Sequence, residues 1–247
     1  MTNPAPTVAV IVPALNEAGN VAALIAEIRA YADSGMAPVT IRTICIVDNG
    51  STDATAKVAA AAGARVVSEP VAGYGRACFA GARANDDVDI LVFMDGDRSE
   101  VPAEMSLVLT PLLDGRADLV VGSRILGHAE PGALSPQQVL GNRVATVVMG
   151  FLFRIKITDL GPYRAIRRAD LMALGMTEMT YGWPTEMIAR AAHSGLRFQE
   201  VPVTCRRRVT GVSKVSGNFK ASVRTGWRVF DTIFTVRRSP KPERERV

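Results

Sequence analysis

The chain has 247 residues, of which 48% are hydrophobic and 21% are charged, a composition typical of one large globular α/β domain. The formal net charge of +5 favours acidic partners such as phosphates, nucleotides or an anionic membrane surface. Three widely spaced cysteines without a C-x-x-C pattern argue against a disulfide framework or a zinc site. Neither a secretion signal nor an apolar run approaching the ~20 residues of a membrane span is recognisable, so we expect a cytoplasmic protein, free or peripheral on the cytoplasmic face of a membrane.

The first half of the chain alternates apolar strand patterns with helical patterns. Strands are predicted at residues 8–12, 41–47, 65–67, 90–94 and 119–121, and helices at residues 17–32, 54–62, 75–84 and 103–113. Such alternation predicts an α/β fold with a doubly wound, mostly parallel central sheet and helices on both faces.

The second half is less regular. Residues 126–138 are rich in Gly, Pro and polar side chains and predict a mobile loop, followed by helices at 141–155 and 183–194 and an edge strand at 201–204. Residues 218–236 predict an amphipathic helix with a basic flank, which either packs on the core or lies in a membrane interface. Residues 237–247 are charged and are expected to be disordered.

An acidic pair follows the apolar strand at residues 90–94. Asp95 and Asp97, separated by Gly96, come where a strand of an open α/β sheet meets the ligand crevice. Two carboxylates directed at one point suit Mg²⁺ or Mn²⁺ bound together with a diphosphate. An Asp-Gly-Asp is also an ordinary turn, so this signal is weak when it stands alone.

Three further polar turns precede the acidic pair in a fixed order. They are Pro13-Ala14-Leu15-Asn16-Glu17, Asp48-Asn49-Gly50-Ser51-Thr52-Asp53 and Gly73-Tyr74-Gly75-Arg76-Ala77. With Asp95-Gly96-Asp97 they resemble the nucleotide-sugar-binding half of family 2 glycosyltransferases, which have the GT-A fold. Later segments, which include Val121-Gly122-Ser123-Arg124, Thr158-Asp159-Leu160-Gly161-Pro162-Tyr163-Arg164 and Tyr181-Gly182-Trp183-Pro184-Thr185-Glu186-Met187, are most similar to the dolichyl- and polyprenyl-phosphate sugar synthases of that family. The resemblance implies a catalytic domain over residues 1–217.

The resemblance also implies how the donor is bound. The residues that would contact base, ribose or phosphates are Pro13, Asn16, Glu17, Asp48, Arg76, Asp95, Arg208 and Lys214. Asp95 and Asp97 would hold Mg²⁺ or Mn²⁺, with Asp97 as the more direct ligand and as a catalytic residue. Asn49 departs from the acidic residue that is commoner at this place in the family.

On the acceptor side, Arg124 and Arg164 match positions that contact an acceptor phosphate, for which a guanidinium group is well suited. A lipid phosphate arrives already ionised and needs no strong base. A hydroxyl acceptor needs a carboxylate to take its proton, and Glu186 and Asp159 are the candidates. Both carboxylates are equally well explained by helix capping or an ion pair.

The implied function is metal-dependent, inverting transfer of a hexose from a UDP- or GDP-sugar to an isoprenoid phosphate lipid. One alternative is transfer to a hydroxyl acceptor with Glu186 or Asp159 as base. Another is a non-catalytic nucleotide-sugar-binding subunit with a membrane-protein partner. Basic and aromatic residues are not interleaved as in nucleic-acid-binding modules, so no nucleic-acid partner is expected.

Overall fold

A seven-stranded sheet forms the centre of the protein, for which a computed structural model describes residues 5–208 and 219–240. The strands are β1 (Thr7–Ala14), β2 (Thr40–Asp48), β3 (Arg65–Ser68), β4 (Ile90–Phe93), β5 (Leu119–Ala129), β6 (Arg164–Arg167) and β7 (Phe198–Cys205). Their spatial order is β3-β2-β1-β4-β6-β5-β7. Strand β6 runs antiparallel to β4 and β5, and the other neighbouring pairs are parallel. The predicted mostly parallel sheet is therefore confirmed.

Helices cover both faces of the sheet. They are α1 (Val21–Asp33), α2 (Thr55–Ala61), α3 (Tyr74–Ala84), α4 (Met105–Leu113), α5 (Pro136–Phe153), α6 (Arg168–Ala173), α7 (Trp183–His193) and α8 (Phe219–Arg238). Side chains alternate between the two faces along β1. Val10 and Val12 pack in the core that includes α1 and α4, whereas Ile11 packs in the core that includes α3 and Trp183.

Two segments of the second half differ from the sequence-based expectation. Strand β6 was not predicted, because Arg164 and Arg167 interrupt the apolar pattern of this four-residue central strand. The predicted mobile loop at 126–138 is wrong at both ends. Strand β5 continues to Ala129 and pairs with β7, and a capping box between Ser135 and Gln138 starts α5 at Pro136.

Helix α8 packs against α5 and α7 through an apolar inner face on which Ile233 and Val236 are buried. The helix continues to Arg238, so Arg237 and Arg238 are helical and do not belong to the charged tail predicted from residue 237. Residues 241–247 lie outside the described part of the chain. None of the helices in the described part of the chain combines the length and the apolar composition of a membrane span.

The carboxyl ends of β1, β2 and β4 lie side by side, because these parallel strands are neighbours in the sheet. The polar turns at residues 13–17, 48–53 and 95–97 begin at or just after the ends of these three strands. The chain leaves β1 toward β2 on one side and reaches β4 on the other. In open α/β sheets ligands bind at such a switch point.

Candidate functional site

A large cleft of about 1060 Å³ opens at the carboxyl ends of these strands. Residues from the polar turns, from the start of α5, from the segment after β7 and from α8 line it. They include Pro13, Glu17, Asn49, Gly73, Tyr74, Asp95, Asp97, Arg124, Ser135, Tyr181, Arg206, Arg207, Arg208 and Arg228. The cleft is thus large enough for a nucleotide-sized ligand together with a second substrate.

Pro13 and Glu17 line the cleft as the sequence predicts. Helix α1 begins at Val21 and not at residue 17, so Glu17 lies in the turn before the helix. Its carboxylate is almost fully buried and accepts a hydrogen bond from Asn20 Nδ2 at 2.7 Å. Its Oε1 also lies 3.7 Å from the Arg208 guanidinium, which links the first turn to the segment after β7.

Asn16 and Asp48 are not among the residues that line the cleft. Asn16 adopts a left-handed conformation (φ 53°), and its Oδ1 accepts a hydrogen bond from Thr52 N at 2.8 Å. Asp48 accepts a hydrogen bond from Ser51 N at 3.3 Å within its own turn. Both side chains connect or stabilise the turns after β1 and β2, a structural contribution that sequence position alone does not distinguish from ligand binding.

Asn49 positions the glycine loop, a function that the sequence did not predict. Its Nδ2 donates to the carbonyl oxygens of Glu69 and Val71, both at 2.8 Å, and its Oδ1 accepts from Gly73 N at 2.8 Å. An aspartate could not donate these two hydrogen bonds. The departure from the family's commoner residue at this position therefore has a structural explanation.

The glycine loop packs tightly against the segment before α7. A Cβ atom at Gly75 would lie 2.6 Å from the carbonyl oxygen of Glu178 and 2.8 Å from Trp183 Cβ, so only glycine fits there. Arg76, the predicted phosphate ligand of this loop, is exposed on α3 and is not among the residues lining the cleft. The loop shapes the cleft through its backbone.

Asp95 and Asp97 both line the cleft and are held by specific hydrogen bonds. Tyr74 Oη donates to Asp95 Oδ1 at 3.0 Å, and Ser99 N donates to Asp97 Oδ1 at 2.9 Å. Arg208 Nη2 lies 2.5 Å from Asp97 Oδ2. Two oriented carboxylates with hard oxygen atoms suit Mg²⁺ or Mn²⁺ completed by phosphate and water oxygens. In the described part of the chain, no group of three or more His, Cys, Asp or Glu forms a metal cluster by itself.

A third carboxyl group lies behind this pair. Glu100 is 4% exposed, and its Oε2 accepts a hydrogen bond from Asp95 N at 3.0 Å. Burial, and then repulsion from Asp95 and Asp97, raises the pKa of Glu100 well above its ordinary value. Burial, and then repulsion from Asp97, likewise raises the pKa of Asp95 to about 6. A cluster of this kind gains from a cation in the cleft.

Cationic side chains face the acidic pair from the segment after β7. Arg208 connects Asp97 and Glu17, and Arg206 and Arg207 also line the cleft. Arg206 is tied to Glu27 of α1 at 2.8 Å, which anchors the segment across the front of the sheet. Lys214, the other predicted basic residue, lies outside the described residues.

Arg124 and Asp159 form one buried, bidentate ion pair. Arg124 Nε and Nη2 donate to the two carboxylate oxygens of Asp159 at 2.8 and 2.7 Å. Asp159 is fully buried, and the negative charge raises the pKa of Arg124 although burial opposes this. Arg124 lines the cleft whereas Asp159 is not among the lining residues. The pair therefore presents a cation to the cleft.

The predicted acceptor contact by Arg164 does not agree with its position. Arg164 is fully buried, and Nη1 donates to the carbonyl oxygen of Pro184 at 2.9 Å while Nη2 donates to that of Gly161. Burial lowers its pKa. This guanidinium connects β6 to the segments that precede it and to the start of α7, and it is not among the residues lining the cleft.

Glu186 is also occupied within the fold. Its carboxylate is 2% exposed and accepts hydrogen bonds from the backbone N–H groups of Thr177 and Glu178. It also forms an ion pair with Arg190 Nε at 2.7 Å. Like Asp159, it does not line the cleft, so the geometry gives neither carboxylate access to an acceptor.

Helix α8 contributes a cation that the sequence analysis placed only on the flank of the helix. Arg228 lines the cleft, and its Nε lies 2.8 Å from Glu178 Oε2. Tyr181 also lines the cleft and is 43% exposed. Arg228 and Arg124 thus add two cations to the lining of the cleft.

Comparisons with known proteins identify the family. The family model described as "Glycosyl transferase family 2" matches residues 9–175. The chain is 37% identical over 222 residues to an uncharacterized glycosyltransferase of Mycobacterium tuberculosis, covering 87% of this chain and 93% of the relative. It is 31% identical to polyprenol monophosphomannose synthase of Mycolicibacterium smegmatis, covering 71% of each chain.

Solved structures share the fold. Glucosyl-3-phosphoglycerate synthase from Mycobacterium tuberculosis, in complex with Mn²⁺, uridine-diphosphate and glucosyl-3-phosphoglycerate, aligns with a TM-score of 0.74. The alignment covers 96% of this chain and 81% of that chain at 23% sequence identity. The switch-point cleft, the order of the turns and the family match lead to one conclusion: the chain belongs to glycosyl transferase family 2 and is a glycosyltransferase enzyme.

Proposed function

We propose that this enzyme transfers a hexose from a nucleoside-diphosphate sugar to the phosphate group of an isoprenoid lipid, with a divalent cation as cofactor. The observation that carries the proposal is the set of charged residues that line the cleft. Asp95 and Asp97 line it together with the cations Arg124 and Arg228, whereas the two predicted general bases, Glu186 and Asp159, are buried and are not among its lining residues.

The donor fits the side formed by the polar turns. Pro13 and Glu17 would contact the nucleoside, where a carboxylate can accept hydrogen bonds from ribose hydroxyls or from a base N–H. Asp95 and Asp97 would hold Mg²⁺ or Mn²⁺ beside the diphosphate. When bound, such a cation neutralises negative charge that builds on the leaving nucleoside diphosphate. Structural neighbours bound to uridine-diphosphate and Mn²⁺ support this donor class.

On donor binding, the Arg208 guanidinium would exchange its ion pair with Asp97 for one with the diphosphate. In the structure its guanidinium connects Asp97 and Glu17, where a cation is favoured by the two carboxylates. The metal would replace the guanidinium beside Asp97, and the diphosphate would replace Asp97 as the anionic partner of Arg208. Arg208 would then stabilise the leaving group from the opposite side by charge-assisted hydrogen bonds.

A phosphate acceptor explains why the cleft needs no carboxylate base. Asp159 is tied to Arg124, and Glu186 is tied to Arg190 and to two backbone N–H groups. An ionised phosphate oxygen can attack the anomeric carbon directly while the bond from that carbon to the diphosphate oxygen breaks. The diphosphate leaves with the bonding electrons, and the configuration at the anomeric carbon inverts.

The lipid as acceptor is supported by relatives. Polyprenol monophosphomannose synthase and the undecaprenyl-phosphate mannosyltransferase of Micrococcus luteus are 31% and 30% identical to this chain. Transfer to a hydroxyl group is the second candidate, because the structural neighbours include complexes with phosphoglyceric acid. The burial of Asp159 and Glu186 argues against the base that this second reaction was expected to use.

The test combines donor binding with product formation. UDP- and GDP-hexoses, each with and without Mn²⁺, are screened by thermal shift, because a ligand that binds only the folded state raises Tm. The donor that binds is then incubated with a short-chain polyprenyl phosphate or with the corresponding polyprenol. We expect labelled lipid from the phosphate only. Transfer to polyprenol or to a soluble hydroxyl acceptor, with none to the phosphate, would overturn the proposal.

A further inference from the structure

Helix α5 exposes an apolar stripe to solvent. Leu140, Val144, Val147 and Phe151 are 66%, 45%, 65% and 84% exposed. Their spacing of four, three and four residues places them on one face of the helix. We call these four residues the α5 stripe. Exposed apolar groups of this size on one face indicate an interaction surface.

The α5 stripe is not the face that packs on the core. Ala145 and Met149, on the opposite side of the helix, are buried and belong to the core that contains α7. Helix α5 is therefore apolar on both faces, and only one face is covered. A helix that is apolar all round is expected to be buried from both sides.

Helix α8, which packs against α5, adds two exposed aromatic side chains. Trp227 is 76% exposed and Phe234 is 43% exposed, and they are seven residues apart on one helical face. Tryptophan is favoured where an apolar medium meets water, because its ring is apolar and its N–H can remain hydrated.

The charged residues of α5 and of the three residues after it are all positive, whereas α8 carries one exposed acid, Asp231, on the face of Trp227 and Phe234. Residues 136–156 contain Arg143, Arg154 and Lys156 and no Asp or Glu. The three cations are exposed, and Arg237 and Arg238 add two more at the end of α8. Apolar side chains with cations beside them and no acid on the same helix match the surface of an anionic bilayer. A second copy of α5 would place these cations against each other without an acidic partner on the helix.

The α5 stripe also begins at the mouth of the cleft. Ser135, the N-cap of α5, and Pro136 and Gln138 in its first turn line the cleft, and Leu140 follows within one turn. Arg228 of α8 lines the same cleft one residue after the exposed Trp227. A surface that holds these two helices would therefore have the cleft opening beside it.

We propose that the α5 stripe docks on an anionic lipid bilayer, with Trp227 and Phe234 of α8 and the neighbouring cations, and so places the cleft beside the headgroups. This inference deepens the proposed function, because a lipid acceptor carries its phosphate in the headgroup layer. The docking does not require a membrane-spanning segment, since an amphipathic face with basic residues binds in the plane of the interface.

The test uses the full chain and sedimentation with vesicles. Val147→Glu and Phe151→Glu place an acid in the α5 stripe. Met36→Glu is the matched control, because Met36 is 66% exposed and lies between α1 and β2, at the end of the sheet opposite the cleft. We expect the parent and the control to bind phosphatidylcholine vesicles that contain phosphatidylglycerol, and to be released by salt. The two stripe variants should bind about tenfold more weakly or worse.

Three results would overturn the docking. They are failure of the parent to sediment with anionic vesicles, unchanged binding of both stripe variants, and a parent dimer that the stripe variants convert to monomer without any vesicle binding. Donor-induced thermal shifts and transfer to a soluble short-chain polyprenyl phosphate are measured on the same proteins. If these persist in the stripe variants while vesicle binding is lost, the docking is supported. If they are absent from the parent too, the proposed function fails independently of the docking.

Discussion

Two regions of the chain, each called a wall here, line the cleft and position their charged groups differently. On the wall formed by the turns after β1 and β4, Asp95 and Asp97 face the cleft itself. On the wall formed by β5 and the start of α7, Asp159 and Glu186 are buried in ion pairs, so that a cation, Arg124, faces the cleft. The first wall is therefore prepared for a cation, and the second for an anion.

The comparison shows how to recognise a charged side chain with a structural function: it is buried, and all its hydrogen bonds are made within the fold. Arg164 illustrates this, because its buried guanidinium donates to backbone carbonyl oxygens, including those of Pro184 and Gly161, and Arg164 itself does not line the cleft. A buried charge of this kind costs stability when its partners are removed. Removal of a charge that faces the cleft should lower activity instead. Substitution of a charge that faces the cleft should therefore lower activity, whereas substitution of a buried, paired charge should lower stability.

The largest effect should come from the acidic wall. Asp97→Asn keeps the size of the side chain but removes one charged oxygen ligand and the partner of Arg208. We expect a loss of hexose transfer on the order of a hundredfold to a thousandfold, because electrostatic stabilisation of the leaving group is worth several kcal/mol. Transfer of labelled hexose at saturating donor measures it.

Asp114→Asn serves as the control for that substitution. Asp114 pairs with Arg116 on the surface, where both side chains are about half exposed. Such a pair contributes little, so activity and stability should match the parent. If Asp97→Asn turns over as fast as Asp114→Asn, the acidic wall does not hold the leaving group.

On the other wall, Glu186→Gln should lower stability and leave chemistry intact. The carboxylate accepts hydrogen bonds from Thr177 N and Glu178 N and pairs with Arg190, and an amide cannot replace all of these interactions. We expect a loss of about 2 kcal/mol of unfolding free energy, or roughly 4–8 °C in Tm. Differential scanning calorimetry and transfer rates at a temperature well below Tm measure the two effects separately.

A general base would behave in the opposite way. Its removal would lower kcat by on the order of a hundredfold to ten-thousandfold with little change in Tm. That result would restore the hydroxyl-acceptor reaction and contradict the division between the two walls.

Asp95→Asn should stabilise the metal-free protein. Burial and the charge of Asp97 raise the pKa of Asp95 to about 6, above its ordinary 3.8, so the folded state binds a proton more tightly than the unfolded state does. The stability contributed by protonated Asp95 is therefore present below about pH 4 and is lost as pH rises through about 6. At pH 8 with chelator, we expect the variant to gain about 1–2 kcal/mol.

The pH dependence provides the internal control for this prediction. At pH 4 the parent and Asp95→Asn should have nearly the same stability, because Asp95 is then mostly protonated in the folded state. Chemical denaturation at pH 4 and pH 8 measures both differences. If the variant is less stable than the parent at pH 8, nearby positive charges stabilise ionised Asp95 by more than burial destabilises it, which contradicts the prediction.

The sequence predicted the acidic wall better than the cationic one for a physical reason. Parallel strands bring their carboxyl ends together whatever their exact packing, so Asp95 and Glu17 could be assigned to one edge from strand order alone. The antiparallel β6 breaks that rule. Arg164 begins β6, and only tertiary packing determines that its side chain turns into the protein and not toward the cleft.

Residues that act through hydrogen bonds to the backbone were equally hard to predict. Asn49 holds the glycine loop through the carbonyl oxygens of residues about 20 positions away, a contact that no local pattern encodes. Arg228 reaches the cleft only because α8 packs beside α7. The signal that was available for it, a basic residue beside an apolar helical face, is shared with ordinary surface helices.

The smallest expected effect concerns the contribution of α8 to the cationic wall. Arg228 is half exposed and pairs with Glu178, so much of its charge is screened by solvent. If it guides an anionic acceptor, Arg228→Gln should raise KM for the acceptor by about threefold to tenfold, because a charge at the rim of a site acts mainly on association. Neither the donor-induced thermal shift nor kcat should change. Arg228→Lys keeps the charge and should recover most of the loss, and added salt should reduce the difference between Arg228→Gln and the parent. An unchanged KM in Arg228→Gln at low salt would confine acceptor recognition to Arg124 and the segment after β7.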